Sequence, residues 1–216
     1  MNQMRHKTTE KKPEHRFLSF EARAEQDEEK GAIITGRPIV YNTRTDLGVF
    51  TEMIAPGALL GADLKDVPLF VNHEINTIPL ARSRNNNANS TMQLLIDDEG
   101  LFIRAAIDKD GNPQAAALWS AVSRGDINGM SFMFTVGDEE WKDLDSEKPD
   151  RIIRRFDRIF EVSACTFPAY EDTTISARSA AEALESARLA LENARRRSLE
   201  NDLALEKAKA LAFLSI

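Results

Sequence analysis

The sequence predicts a mainly β domain with inserted helices, followed by an amphipathic helical tail. Three observations predict it. Short runs of alternating or β-branched apolar residues recur from Arg16 to about Thr174. Turn-forming clusters separate those runs. From Arg178 onward there is no Gly or Pro, and Ala and Leu recur near helical spacing. Many short antiparallel strands of this kind form a closed or nearly closed barrel. The chain then divides into a flexible basic arm over residues 1–15, a β-barrel domain over 16–177 and a helical tail over 178–216.

The arm is polar and lacks apolar periodicity, which predicts a loosely held segment. FLSFEARAE and GAIITGRPIVYNT follow as strands, and the acidic, Gly-ended residues 26–31 between them read as a hairpin turn. FTEMIAPGALL, VPLFVNHE and PLARSRN come next, then STMQLLIDDEGLFIRAAID, where DDEG joins two alternating runs as a hairpin. NPQAAALWSAVSRGD has Pro113 near its start, an apolar interior and Gly125 at its end, the pattern of a short helix. INGMSFMFTV and RIIRRFDRIFEVSACTF are the last strands, with a charged loop over residues 137–150 centred on Trp141. The tail carries Ala180, Ala183, Leu184, Ala187, Leu191 and Ala194 on one stripe, with a break expected near residues 195–198. That stripe needs a partner, either the barrel or a second chain. Arg195–Arg197 reads as a solvated basic face or, second, as a contact for an acidic partner.

Composition excludes several classes. A net charge of −7 argues against a nucleic-acid binder, which usually carries a basic footprint. One cysteine, Cys165, rules out an internal disulfide framework, fits a reducing compartment and leaves no cysteine-rich zinc site. His73–Glu74 lacks the second His of a zinc-protease helix, and no Gly-rich phosphate loop is present, so neither metal nor cofactor is expected. The charged N-terminus has no apolar run behind it, and no stretch approaches the roughly 18–20 apolar residues of a membrane helix. A soluble protein made in a cytoplasm is expected, with no membrane partner.

Histidine is the informative residue type. His6 and His15 lie in the arm, so a histidine base within the folded core must be His73, at the end of VPLFVNH. The alternative for His73 is a surface or hydrogen-bonded core histidine. In NGMSFMFTV, alternation puts Phe132, Phe134 and Val136 on one face and Ser131, Met133 and Thr135 on the other. Ser131 is a nucleophile only where a base takes its proton; otherwise it is a structural strand serine. In IFEVSACTF, Glu161, Ser163 and Cys165 share a face. A carboxylate in such an apolar strand needs a partner. Two partners stay open: a histidine, which the acid would orient, or Arg155 or Arg158 in a salt bridge. Cys165, between Ala164 and Thr166, reads as a packed hydrophobe before it reads as a nucleophile.

Order and local strings add what residue types leave open. VPLFVNHE, NGMSFMF and FEVSACTFPAY, with FTEMIAPGAL upstream, resemble the tailed-phage prohead maturation protease family over roughly residues 20–175. That family is in turn similar to the herpesvirus assemblin proteases. The resemblance implies an assemblin-like closed barrel and a serine endopeptidase that cuts scaffold and capsid segments, and itself, inside the immature shell. It implies His73 as base, Ser131 as nucleophile and Glu161 as third member, in the place where the assemblins' "HVALC" string carries a second histidine and this chain reads EVSAC. The assemblins' paired arginines after that string have no counterpart in Phe167–Tyr170, which moves the expected oxyanion donors to backbone N–H groups at Ala169 or Tyr170. The implied partners are the major capsid protein with its scaffolding segment, and a second copy in a homodimer or higher oligomer. The implied location is the host cytoplasm, packaged inside the prohead.

Overall fold

The computed structural model describes residues 13–18, 22–166 and 174–214. Over these residues the protein is mainly β with two helices. The larger sheet has seven strands: β1 (Glu14–Leu18), β10 (Gly129–Lys142), β11 (Asp150–Cys165), β5 (Thr51–Ile54) and β4 (Arg44–Asp46) in that order, with β6 (Asp66–Val71) on β11 and β7 (Ala81–Arg84) on β6. The smaller sheet runs β2 (Arg23–Asp27), β3 (Gly31–Val40), β9 (Gly100–Ile107), β8 (Met92–Asp97). No pairing among the described strands closes them into one barrel, so the closed barrel expected from strand pattern and resemblance is not found. Instead the apolar faces of the two sheets share one core, with Ile34, Ile39, Leu101 and Ile103 from the smaller and Leu69, Phe132, Phe134, Phe156 and Val162 from the larger.

Several elements form as their local chemistry dictates. Asp97 Oδ1 accepts from the N–H groups of Glu99 and Gly100 and closes the β8–β9 hairpin. α1 (Pro113–Arg124) is capped by Asn112, whose side chain accepts from Gln114 N and Ala115 N, and it stops at Gly125 with φ 78°. Ala115, Leu118 and Val122 bury its one apolar face.

The charged segment after Val136 differs from expectation. It is no loop: β10 continues to Lys142 and pairs with β11 as a long hairpin, leaving residues 143–149 to turn. The charges support the strand because they are matched across it. Arg154 bonds Glu140, Arg151 bonds Glu139, and Trp141 packs edge-on against Phe50.

The tail is a single helix, α2 (Thr174–Leu214), continuous through the expected break at 195–198. Serine and arginine are acceptable helix residues, and nothing there removes a backbone donor. Ala187 and Leu191 pack with Phe50, Trp141 and Leu144 in a satellite cluster, and Arg195 donates to the carbonyls of Leu144 and Ser146. From residue 195 to 212 every described side chain is exposed, including Leu199, Leu203, Leu205 and Leu211. Among the described residues no helix is long and apolar enough to cross a membrane.

Candidate active site

β10, β11 and β6 present two faces. Phe132, Phe134, Val162, Ala164 and Leu69 turn to the core. Ser131, Glu161 and Ser163 turn to the opposite face and are nevertheless fully buried. The register aligns them: Ser131 stands beside Ser163, and Met133 beside Glu161. The alternation expected from the sequence places Ser131 and Glu161 on one face of adjacent strands.

His73 reaches that face by leaving its strand. β6 ends at Val71, and Asn72 and His73 both take left-handed backbone, with φ 50° and 59°. Asn and His are among the residues that tolerate this region, yet each such residue costs about 1–3 kcal/mol and persists where its surroundings hold it. Here they do. The Asn72 N–H donates to the Ala164 carbonyl at 3.1 Å, and Asn72 Oδ1 accepts from the Thr166 N–H at 3.1 Å. The His73 N–H donates to Ser163 Oγ at 3.2 Å.

The turn brings His73 Nδ1 to 2.7 Å from Glu161 Oε1. Of the two partners open for Glu161, the structure gives it histidine; Arg155 pairs with Asp157 and Arg158 lies beside Asp63. Glu161 Oε2 accepts from Ser163 Oγ at 2.6 Å, so both carboxylate oxygens are used and the acid is held at two points. An Nδ1–H held by a carboxylate leaves Nε2 as the ring's basic nitrogen.

Ser131 is near this pair in register but not bonded to it. Its hydroxyl donates to the Arg16 carbonyl of β1 at 2.5 Å. β1 pairs antiparallel with β10 from Glu14 opposite Phe134 to Leu18 opposite Met130. The His15 ring meets the His73 ring edge-on, with centroids 4.9 Å apart. Glu14 and His15, expected in the loose arm, therefore begin a strand of the larger sheet; residues 1–12 lie outside the described residues.

His15, His73 and Glu161 each bring one ligand atom within 4.8 Å of the others, a donor set suited to a divalent cation. Within that set both Glu161 oxygens are already engaged, one by His73 Nδ1 and the other by Ser163 Oγ. Cys165 is fully buried, and burial followed by the Glu161 charge pushes its thiol well above the ordinary range, which removes it as a thiolate nucleophile. The expected oxyanion donors at Ala169 and Tyr170 lie outside the described residues.

The caudovirus prohead serine protease family matches residues 19–186. The chain belongs to that family. The protease is also 28% identical over 189 residues to the "Prohead protease" of Enterobacteria phage HK97, an alignment covering 86% of this chain and 75% of that one. No solved structure matches it.

Three residues of this cluster carry little signal in the sequence. Ser163 reads only as a face-mate of Glu161, although a hydroxyl two residues from a buried acid on one strand face is placed to bond it. His15 was assigned to the arm. Arg16 carries no signal in the sequence beyond opening the β-like region, yet it is buried against Glu52.

Proposed function

We propose that the protease matures the prohead by cutting segments of the capsid protein through an acyl-enzyme on Ser131. His73 Nε2 takes the hydroxyl proton as Oγ attacks the peptide carbonyl carbon. Glu161 holds the Nδ1–H and stabilises the imidazolium that forms. The tetrahedral intermediate collapses, the amine leaves with the proton from His73, and the acyl group stays on Oγ. Water, deprotonated by the same nitrogen, then releases the acid and restores the serine. The observation that carries this reading is the 2.7 Å bond from His73 Nδ1 to Glu161 Oε1 beside a strand that aligns Ser131 with Ser163.

The same reading makes the capsid protein with its scaffolding segment the partner, the interior of the prohead the place of action, and the chain itself a further substrate. Residues 16–177 act as the protease domain. The outer half of α2, with Leu199, Leu203 and Leu211 exposed, serves to carry it into the shell against scaffold helices. Co-expression with the capsid protein, followed by mass spectrometry, tests the reading. Wild type yields defined fragments and Ser131→Ala and His73→Ala yield none; equal processing by Ser131→Ala would overturn it.

A further inference from the structure

Resting on Ser131 as nucleophile, we propose that β1 is a latch carried by the chain itself, filling the substrate edge of β10 and keeping the protease latent. Four observations converge on it. β1 pairs with β10 over five residues whose register is centred near the nucleophile, with Arg16 opposite Phe132 and Phe17 opposite Ser131. Ser131 is 0% exposed, so no peptide carbonyl can approach Oγ while β1 is in place. The Ser131 proton is given to the Arg16 carbonyl at 2.5 Å. A hydroxyl has one proton, and one donated to a backbone oxygen is not available to His73. Finally, the His15 ring sits edge-on against His73.

Strand addition explains why this edge matters. In the described strands β10 has β11 on one side and β1 on the other. With β1 withdrawn, β10 would present a row of free N–H and C=O groups alongside Ser131, the template to which an extended peptide adds. β1 and substrate would then compete for one edge, and latency follows from occupancy.

The latch is held by charge. The Arg16 guanidinium donates to Glu52 through Nε at 2.5 Å and Nη2 at 2.8 Å, and to Glu14 at 2.7 Å. Arg151 bonds the same Glu14 at 2.6 and 2.8 Å and Glu52 at 2.9 Å. Arg16 thus faces two ways: its side chain locks β1 to β5, with Glu14 tying the same strand to Arg151 of β11, while its carbonyl holds the nucleophile. α2 also lies against β1, which gives the tail a route to the latch.

The test uses the full chain and a fluorophosphonate probe, with the modified residue identified by mass spectrometry. Arg16→Gln and Glu52→Gln remove one end of the anchor without touching the His73–Glu161 pair. Labelling of Ser131 in both is expected to rise at least about tenfold over wild type, with faster cleavage of the capsid protein. Independently of folding in those variants, His15→Cys with Met133→Cys places a cysteine pair at directly opposed positions of β1 and β10. Labelling should be slow when that pair is oxidised and recover on reduction. Equal Ser131 labelling in wild type, in the anchor variants and in both redox states of the pair would overturn the latch and leave the catalytic reading standing. Absence of Ser131 labelling in every form, with capsid protein still cut, would instead overturn the catalytic reading.

Discussion

In the proposed mechanism Glu161 and Ser163 are the residues on which the base depends, and they do different work. Glu161 fixes the tautomer and carries charge; Glu161→Gln keeps the shape but presents an amide to Nδ1. By analogy with acid-to-amide changes in serine protease triads, processing should slow by about 10⁴-fold, read as the initial rate of capsid-protein cleavage. Ser163 acts in that mechanism as a positioning residue: it donates to Glu161 and accepts from the His73 backbone. A hydrogen bond to a charged group is worth about 1.5–3 kcal/mol, so Ser163→Ala should slow kcat by roughly 10- to 100-fold with KM little changed. Ser163→Thr, which keeps the hydroxyl, should recover most of that loss. Cys165→Ala should leave the rate of Ser131 labelling unchanged, because the thiol is held protonated by burial.

At the scale of elements, alternation and turn chemistry carried most of what can be read in advance. Phe132 and Phe134 against Ser131 is a two-residue period, α1 has its Pro and Gly at the two ends, and the DDEG hairpin forms where its Asp caps it. β1 is only partly legible, with Glu14 and His15 reading as arm and Phe17–Leu18 as the start of a longer strand, because it is short, edge-placed and stabilised by partners far along the chain: Glu52 and Arg151 are 36 and 137 or 99 positions from the residues they bond. The extension of β10 to Lys142 was hidden for the same reason, since glutamates read as loop until arginines stand opposite. VPLFVNH reads as a strand ending at His73, but nothing in VNH announces two successive left-handed residues. The β1 anchor also titrates. Burial alone would raise the Glu14 carboxyl; Arg151 and then Arg16 outweigh it and hold it at about 2, below its ordinary 4.5. Above pH 4.5 the carboxyl is ionised whether β1 is docked or not, and the stabilisation is complete. As pH falls from 4.5 toward 2 the released form takes up the proton first, and the stabilisation is lost. Hydrogen exchange at β1 amides, corrected for intrinsic rates, should therefore keep constant protection from pH 7 to about 5 and lose protection below that.

Taken whole, the molecule joins a two-sheet domain to a helix that is docked through Ala187 and Leu191 and whose described side chains from 198 to 212 are exposed. Leu191→Ala, in the satellite cluster with Phe50, should cost about 2 kcal/mol of stability in thermal or denaturant unfolding. Ending the chain after Arg197 should leave the melting temperature nearly unchanged, because every described side chain removed is exposed. The same truncation should reduce the amount of protease recovered in purified proheads. The placement of β1 has a further consequence, set by connectivity. A restraining strand on the same chain as its target meets it at an effective concentration in the millimolar range, whatever the number of molecules per cell. Dilution therefore cannot start the enzyme, and a freshly synthesised monomer is as quiet as a crowded one. Activation must come from something that competes for the edge of β10 or strains the Arg16 anchor, so the timing of cleavage would be governed by geometry inside the shell and hardly at all by abundance.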